Sequence, residues 1–352
     1  MKSLYGPTAI HFNITGACNN RCIFCGNNSG RVMPNELNLP DIDATIDLLI
    51  RGGVRYIWFM GGDPFMKKGF ELVIKKCIAA NIRVGISTNG VHFSDSSIAL
   101  ISDNAELFDF VQVSLHAPDR ENYFRIHGAD NFDRVVGNIG RLNQARISYN
   151  VSSVIGRYNM QLAAEMYSLL EQLSVRRVSL SQVCQLGRAQ LNNHVHIRFA
   201  DYLAVLEHFN SLNAYKTMDI GTEYRPIVCD AIAEVFPNIT FSPTNCSMYS
   251  VCHIEADGMA MLCPFIRDDI NLRDEFVKYS VMIRNKSCLE DIWNSDSFCD
   301  FREFAHQSNV RKSYCQTCAY LQHGRCVPCP LNTTTCQEQT AAIEAYRSRA
   351  NV

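Results

Sequence analysis

Short apolar runs alternate with longer amphipathic stretches from Ala9 to about Asn213. The runs are nearly continuous in apolar residues, which is typical of parallel strands buried on both faces. The predicted strands are Ala9–Ile14, Tyr56–Met60, Arg83–Thr88, Phe110–Leu115, Ser148–Ile155 and Arg177–Gln182. The predicted helices are Asp41–Arg51, Gly69–Ala80, Ser94–Asp103, Phe132–Ala145, Gln161–Leu173 and Phe199–Asn213. Six β/α units in succession predict an α/β fold with a parallel sheet and helices outside it.

Polar segments follow five of these strands at their carboxyl ends. They are Cys18–Cys25, Gly61–Pro64, Ser87–Gly90, Ser114–His116 and Gln182–Arg188. Taken singly, the Gly-Gly and Asn-Gly pairs indicate ordinary turns. Taken together they lie along one edge, and the carboxyl edge is where parallel sheets and barrels place their chemistry. The pattern therefore predicts a functional site on that edge.

The composition is that of a globular protein with a large core, with 352 residues of which 47% are hydrophobic and 19% charged. The net charge of −2 provides no basic field for nucleic acid. The apolar runs are far shorter than a membrane span, and the N-terminus has no signal-peptide pattern. We therefore expect a cytoplasmic protein that binds neither nucleic acid nor a membrane.

Three of the sixteen cysteines, Cys18, Cys22 and Cys25, lie just after the first strand at C-x3-C-x2-C spacing. Three thiolates can hold three irons of a [4Fe–4S] cluster and leave the fourth iron open to a small molecule. A zinc site would need a fourth Cys or His nearby, and none occurs between Gly26 and Ile50. On spacing alone, structural and catalytic interpretations are evenly matched.

Eight cysteines form a second group near the C-terminus: Cys246, Cys252, Cys263, Cys315, Cys318, Cys326, Cys329 and Cys336. Eight thiolates can satisfy two clusters with four ligands each. Two zinc sites fit the same C-x2-C pairs, so spacing leaves both possibilities open. Four scattered cysteines are interpreted as structural: Cys77, Cys229, Cys288 and Cys299.

The region from Ala9 to Asn213 resembles the radical S-adenosylmethionine (SAM) superfamily, whose motif is CxxxCxϕC with an aromatic residue at the position of Phe24. The resemblance implies a partial (β/α)6 barrel in which SAM binds the open iron. Reduction would then cleave SAM to methionine and a 5′-deoxyadenosyl radical, which abstracts hydrogen from a substrate. A flavodoxin- or ferredoxin-type protein is the expected reductant.

The same resemblance implies the residues that contact SAM. Gly61, Gly62, Asp63 and Pro64 are similar to the GGEP motif, whose backbone receives the SAM amino group, with Asp in place of Glu. Further contacts would come from Ser87 and Asn89 for the ribose and methionine, and from Ser114 and Arg125 for the carboxylate. The usual SLDGP motif reads Ser114-Leu115-His116-Ala117-Pro118 here, so His116 replaces an Asp.

The C-terminal cysteines resemble the SPASM domain, which carries two auxiliary [4Fe–4S] clusters, for three clusters in all. The resemblance implies a β-hairpin with Gly258 at its turn. It assigns Cys246, Cys252, Cys263 and Cys329 to the first auxiliary cluster and Cys315, Cys318, Cys326 and Cys336 to the second. The spacing around Cys326 and Cys329 departs from the family pattern. The expected domains are a barrel over 1–214, a bridging segment over 215–245 and a cysteine-rich α+β domain over 246–352 ending in a helix.

SPASM-containing relatives mostly modify ribosomally made peptides, so the leading hypothesis is cross-linking, oxidation or epimerisation of a peptide. Only Met1–Ala17 precede the first cysteine, so leader recognition would need a separate protein. Similar chemistry on a sugar or another secondary-metabolite intermediate is the alternative. A non-catalytic iron–sulfur or zinc scaffold is the alternative of another class. Cys184, just past the sixth strand, is a weak candidate hydrogen-atom donor, against the interpretation of a small buried apolar residue.

Overall fold

An eleven-stranded sheet organises the residues that the computed structural model describes, which are 6–269, 274, 277–311, 313–327 and 336–350. The strands are β1 Ala9–Thr15, β2 Tyr56–Gly61, β3 Arg83–Thr88, β4 Phe108–Ser114, β5 Tyr149–Ile155, β6 Arg177–Gln182, β7 Asp219–Tyr224, β8 Thr240–Pro243, β9 Val251–Ile254, β10 Met259–Met261 and β11 Val281–Met282. Their order across the sheet is β11-β10-β9-β1-β2-β3-β4-β5-β6-β7-β8. All pairs from β9 through β1 to β8 are parallel.

Helices connect the parallel strands and cover one face of the sheet. They are α1 Leu39–Arg51, α2 Phe70–Ala79, α3 Asp95–Ser102, α4 Arg120–His127, α5 Phe132–Gln144, α6 Ala163–Gln172, α7 Gly187–Leu191, α8 Phe199–Leu212, α9 Pro226–Ala233, α10 Phe265–Asp268, α11 Leu289–Trp293, α12 Asp296–Arg311, α13 Ser313–Gln316, α14 Ala319–Gln322 and α15 Cys336–Ala350. None of the described helices is long and apolar enough to cross a lipid bilayer.

The six predicted strands are present, with ends that differ by at most two residues, and the predicted partial barrel is confirmed. Alternate residues of each strand face the helices. In β1, Ile10, Phe12 and Ile14 are completely buried in the main apolar core, whereas His11 and Asn13 lie on the opposite, concave face and are partly exposed. The helices therefore leave the concave face of the sheet open.

The segment predicted as a bridge, 215–245, continues the sheet as β7, α9 and β8. Its strands escaped the sequence analysis because the edge strand β8 buries little, and in β7 only Ile220 and Thr222 are buried. The sheet crosses both predicted boundaries, since β9 pairs with β1. The division into three domains thus remains a prediction.

The C-terminal part begins with the expected hairpin. Strands β9 and β10 pair in antiparallel fashion, and Gly258 lies at the turn with a φ of 90°, a conformation that favours glycine. The expected C-terminal helix is α15, which packs against α8 and α9. Helix α11 packs against α1, so the C-terminal part contacts both flanks of the barrel.

Gly52, just after α1, offers a test of this packing. A Cβ added there would lie 2.4 Å from Cδ2 of Leu289 in α11, although the φ of −76° is unstrained. We expect Gly52→Ala to lower the free energy of unfolding by about 1–3 kcal/mol through overpacking. Gly137→Ala in α5, where a Cβ meets nothing within 4 Å, is the matched control and should stabilise by about 0.5–1 kcal/mol. Chemical denaturation of both variants measures the difference, and equal effects would contradict the α1–α11 packing.

Candidate active site

The loop after β1 brings Cys18, Cys22 and Cys25 together at the carboxyl edge of the sheet. All three are partly buried. Burial raises the pKa of Cys22, and the neighbouring Cys25 and Cys18 raise it further. Burial also raises the pKa of Cys18, to which Asp63 and Cys25 contribute. Burial makes two of these neighbouring thiols, Cys18 and Cys22, resist ionisation on their own. The three thiols are a donor set that fits a metal cluster, because iron supplies the positive charge that thiolates require.

The loop after β2 approaches the cysteine loop with no space for side chains. A Cβ on Gly61 would lie 2.4 Å from the carbonyl oxygen of Thr15, and one on Gly62 would lie 2.0 Å from that of Ala17. The backbone amides of Gly62 and Asp63 donate to those same two carbonyls, at 2.6 and 2.8 Å. Glycine is required here because the two loops touch through their backbones.

Asp63 is completely buried and joins the loop after β2 to the loop after β3. Its carboxylate accepts hydrogen bonds from the backbone amide of Phe65 at 3.0 Å, the Thr88 hydroxyl at 2.6 Å and the backbone amide of Asn89 at 2.8 Å. Burial raises its pKa, and these donors oppose the rise. The side chain is committed to these partners, so this loop offers a cofactor its backbone. Sequence reasoning missed Thr88, although it lies inside the polar segment that ends β3.

Asn89 connects the third loop to the cysteines. Its Nδ2 donates to Oδ1 of Asn19 at 2.7 Å and lies 3.5 Å from Sγ of Cys18. The predicted SAM contact is therefore beside the predicted cluster. Ser114 ends β4 on the same face as Gln112 and is partly exposed.

Arg125 is exposed on α4, where its guanidinium donates to Asn122 at 2.6 Å and to the carbonyl of Tyr158 at 3.2 Å. The first partner lies on its own helix and the second in the segment after β5. Its assignment to the SAM carboxylate stays a prediction.

Five aromatic rings pack in a column next to the cysteine loop. The Phe24 ring stacks on Tyr158 at 5.0 Å between centroids and meets His116 edge-on at 4.8 Å. His116 stacks on His127 at 5.0 Å, and His127 stacks on Tyr123 at 3.8 Å. Phe24, predicted as a cofactor residue, is thus packed between Tyr158 and His116 in this column.

Both histidines of the column are buried and neutral. Burial lowers the pKa of His116 to about 3 and that of His127 well below its usual value. His116 Nδ1 accepts from the backbone amide of Val154 at 3.0 Å, and His127 Nδ1 lies 3.5 Å from Sγ of Cys22. These contacts make the two histidines structural supports for the loop.

Arg188 was not singled out as a site residue from the sequence, although it ends the polar segment after β6. Its Nε donates to the carbonyl of Cys22 at 2.9 Å, and Nη1 donates to the carbonyl of Ser29 at 2.8 Å and to Asn28 at 3.0 Å. The guanidinium lowers the pKa of Cys22 against the larger effect of burial. It therefore closes the cysteine loop and places a positive charge beside a predicted cluster ligand.

Five side chains from five adjacent strands form a hydrogen-bonded row across the concave face. Trp58 Nε1 donates to Oγ of Ser87 at 2.9 Å, and Gln112 Nε2 donates to the same oxygen at 3.3 Å. Asn150 Nδ2 donates to Oε1 of Gln112 at 3.4 Å and to Oγ of Ser179 at 3.0 Å. We call these five residues the polar row. It carries no charge and presents amide and hydroxyl groups below the cysteine loop.

Two further polar groups lie at the β1–β9 side of the concave face. His11 and His253 are paired neighbours in register, 4.7 Å apart between ring centroids, and burial lowers the pKa of His11 to about 4. Asn13 Nδ2 donates to both Glu255 carboxylate oxygens at 3.0 Å, and Arg267 pairs with Glu255 at 2.6 Å. The negative charge of Glu255 is therefore offset by Arg267.

Cys184 lies at the far end of the same face, after β6. The residue is exposed, yet its surroundings are dense enough for burial to raise the pKa of its thiol. A residue that lines a concave surface shows this combination. Because Cys184 is exposed, it is not the small buried residue of the alternative interpretation, whereas Cys77 and Cys229 are buried as expected.

The structure brings together the four cysteines assigned to the second auxiliary cluster. Burial raises the pKa of Cys326, Arg225 opposes this, and Cys336, Cys318 and Cys315 raise it further. Cys329, assigned to the first auxiliary cluster, lies outside the described residues. Within the described chain no three potential ligand side chains already surround a common point, so the cluster assignments stay predictions.

A buried arginine accompanies the first auxiliary group. Arg302 is 1% exposed, donates Nη1 to the carbonyl of Trp293 at 2.9 Å and lies over its ring at 4.5 Å. Its Nε and Nη2 have no hydrogen-bond partner of normal geometry among the described residues. Burial lowers its pKa, and Cys299, Tyr249 and Cys252 oppose the shift. A buried cation with unpartnered donors beside Cys252 fits an anionic cluster, since both an iron–sulfur cluster and a zinc tetrathiolate carry negative charge.

Two curated relatives align with the chain. Mycofactocin maturase MftC of Mycolicibacterium smegmatis is 29% identical over 169 residues, which cover 48% of this chain and 43% of MftC. The match therefore spans less than half of that relative's length. GTP 3',8-cyclase of Chlorobaculum tepidum is 28% identical over 274 residues, 75% of this chain and 80% of the cyclase.

Two solved structures share the fold at low sequence identity. Streptococcus suis SuiB bound to S-adenosylmethionine superposes with a TM-score of 0.69 and 16% identity, covering 90% of this chain and 72% of SuiB. Native anSMEcpe with bound AdoMet superposes with a TM-score of 0.70 and 15% identity, covering 98% of both chains. Both agree with the barrel and the C-terminal domain described above.

Two family models match the regions that the cysteine motifs single out. The radical SAM superfamily model matches residues 12–170, and the model of the SPASM iron–sulfur cluster-binding domain matches residues 246–319. The first contains the cysteine loop and the loops that pack on it. The second contains the hairpin and Arg302. The chain belongs to the radical SAM superfamily and is an enzyme of that superfamily with a SPASM iron–sulfur cluster-binding domain.

Proposed function

We propose that this enzyme starts radical chemistry on a peptide from SAM bound at a cluster held by Cys18, Cys22 and Cys25. The observation that carries the proposal is the position of these thiols, at the edge of a concave face lined by the uncharged polar row. When bound, SAM and the reduced cluster supply a 5′-deoxyadenosyl radical that abstracts hydrogen. The protein binds and orients the reactants and keeps water out.

Each loop on the carboxyl edge has a part in holding SAM. The backbone of Gly61–Pro64 receives the amino group, since the Asp63 side chain is occupied elsewhere. Ser87 and Asn89 face the ribose and methionine, and Ser114 and Arg125 hold the carboxylate. The Asn89 amide, 3.5 Å from Cys18 Sγ, ties this binding site to the cluster loop.

The SPASM domain holds two auxiliary clusters in this proposal, which brings the count to three. Arg302 and Arg225 lie beside the two cysteine groups and offset their negative charge. Two fully ligated clusters would accept the electron that remains on a substrate after hydrogen abstraction. This suits a net two-electron oxidation of the substrate.

The peptide assignment is supported by proteins that share this fold. SuiB has been solved with its precursor peptide SuiA, and anSMEcpe with the Cp18Cys peptide. MftC is a maturase by name. The polar row agrees with such a substrate, because amide and hydroxyl side chains can hydrogen-bond the amide groups of a peptide.

GTP 3',8-cyclase represents the small-molecule alternative, and its substrate carries a triphosphate. Phosphate recognition relies on cationic side chains or helix N-termini. On the concave-face positions of β3 and β6, Arg83 and Arg177 lie at the amino ends of their strands, opposite the cysteine edge. Arg83 also pairs with Asp109 at 3.1 Å. The polar row offers hydrogen bonds without counter-charge, which favours a neutral polar substrate.

Iron content and SAM cleavage test the core of the proposal. Anaerobic reconstitution should yield about twelve irons per chain, and about eight in a Cys18→Ala/Cys22→Ala/Cys25→Ala variant. 5′-Deoxyadenosine should form after dithionite reduction of the wild type and be absent from the variant. A count of about four irons together with bound zinc would show that the SPASM region binds zinc. Because zinc is not redox-active, that region could then not accept electrons.

Addition of GTP tests the substrate class. We expect GTP to leave the slow basal formation of 5′-deoxyadenosine unchanged, because the polar row provides no counter-charge for phosphates. A short peptide encoded beside the gene should raise that rate and change in mass. The measurement is 5′-deoxyadenosine by chromatography together with mass spectrometry of each candidate substrate. Stimulation by GTP alone would favour the small-molecule alternative.

Cys184→Ser tests the candidate hydrogen-atom donor. The serine O–H bond is too strong to donate a hydrogen atom readily, so SAM cleavage should continue while product is lost. Cys77→Ser serves as a control for loss of a thiol away from the concave face. Unchanged product formation in Cys184→Ser would remove Cys184 from the mechanism.

A further inference from the structure

A groove lies on the outer side of the barrel, away from the concave face. Its volume is about 680 Å³, and it runs along α2 past the segment after β3 to α5. Its floor is apolar and aromatic, with the Phe65 ring packed against the rings of Phe70 and Phe93. Leu72 is 59% exposed at its margin. We call it the basic groove for the charges on its rim.

Cations dominate that rim. Lys67, Lys68, Lys75, Arg134 and Arg141 line the groove together with His92 and one carboxylate, Glu71. Such a concentration stands out in a chain whose net charge is −2. The groove therefore presents a local positive field to molecules in solution.

Three of these cations are exposed and less compensated than the others, although Lys75 interacts with Glu71 and lowers the pKa of that carboxyl. Lys67 pairs with Glu36 and Arg141 with Asp95, but no ion pair of Lys68, Lys75 or Arg134 is found within the described residues. All three are exposed.

Glu71 offsets one of these positive charges, at the side of the groove next to α3. Its carboxylate accepts hydrogen bonds from the hydroxyls of Ser94, Ser96 and Ser97. The Ser97 hydroxyl, foremost among these, lowers its pKa. The carboxylate is thus held towards the serines of α3 and its cap.

The inner wall of the basic groove is connected to the cysteine loop. Val91 lines the groove, and its backbone amide donates to Oδ1 of Asn89 at 3.0 Å. Asn89 Nδ2 in turn lies 3.5 Å from Sγ of Cys18. Asn138, another lining residue, donates to the carbonyls of Gly90 and Val91 at 2.8 and 3.2 Å and holds this short connection in place. The groove therefore has a short route of bonds and hydrogen bonds to a predicted cluster ligand.

We propose that the basic groove is the docking surface for an acidic electron-donor protein of the flavodoxin class. This rests on the proposed function, which requires one electron at the cluster for each SAM cleaved. On docking, one electron leaves the reduced flavin of the donor and enters the iron–sulfur cluster beside Cys18, so the flavin is oxidised by one electron. Charge complementarity steers the acidic donor to the rim, and the apolar floor provides the contact once water is expelled.

An acidic segment of a substrate peptide is the competing occupant. The connection through Asn89 to Cys18 favours the electron donor, because electron transfer needs a short covalent or hydrogen-bonded route, whereas a substrate segment needs only the surface. The polar row, where we place the substrate, lies on the other face of the sheet.

The test compares two reductants on charge-reversed holoenzyme. In Lys68→Glu/Lys75→Glu/Arg134→Glu, 5′-deoxyadenosine formation driven by photoreduced flavodoxin should fall at least tenfold. Formation driven by dithionite, which needs no docking surface, should stay within twofold of wild type. The matched control is Arg176→Glu/Arg177→Glu/Lys216→Glu, three exposed cations at the amino edge of the sheet. It changes the net charge equally and should keep the flavodoxin-driven rate.

Ionic strength provides a second readout. The wild-type flavodoxin-driven rate should fall when ionic strength rises from about 0.05 M to about 0.3 M, since the screening length shortens across that range. In the groove variant this dependence should vanish.

Several results would overturn the proposal. A groove variant that keeps its flavodoxin-driven rate excludes docking there, and weaker peptide binding by the same variant would assign the groove to the substrate. An equal fall of the flavodoxin-driven rate in the control variant would show that the net charge of the protein, and not the groove, determines that rate. If dithionite drives no SAM cleavage in the wild type, the proposed function itself is wrong. The results above would contradict only the docking site, so the two outcomes are distinguishable.

Discussion

The buried carboxylate of Asp63 is the interaction on which the site depends. It accepts hydrogen bonds from its own loop and from the loop after β3, while the backbone amides of Gly62 and Asp63 bond to the end of β1. Three strand ends are thereby fixed relative to one another. A charge or acceptor buried so completely is tolerated only when its partners are in place, so the three loops form as a unit.

Arginine recurs beside each cysteine group. Arg188 closes the loop of Cys18–Cys25, Arg302 lies near Cys252, and Arg225 lies near Cys326 and Cys336. A cluster ligated by thiolates is anionic and becomes more so on reduction, so a nearby guanidinium stabilises the reduced form. Arg302 shows the requirement most directly, because two of its buried nitrogens lack normal hydrogen-bond partners in the described chain. Charge compensation is thus a common feature of all three groups.

The parallel pairing of β9 with β1 joins the two halves of the molecule. Successive residues of a strand point to opposite faces, so Cys252 points away from the concave face while His253 lies on it beside His11. Cys252, a predicted ligand of an auxiliary cluster, and His253 on the concave face are consequently neighbours along one strand. The pairing places the SPASM hairpin against the barrel wall.

The sequence by itself determined the six β/α units, the carboxyl edge as the site, the radical SAM cysteine motif and the SPASM hairpin. These features arise from local patterns: apolar runs of strand length, cysteine spacing and a glycine at a turn. Tertiary structure alone decided which polar residues lie on the concave face and which support the loops. His116 and His127 stack behind Cys22, Arg188 closes the cysteine loop, and the polar row draws one residue from each of five strands. These contacts join residues far apart in the chain, so no local pattern encodes them, and only the register of the folded sheet brings them together.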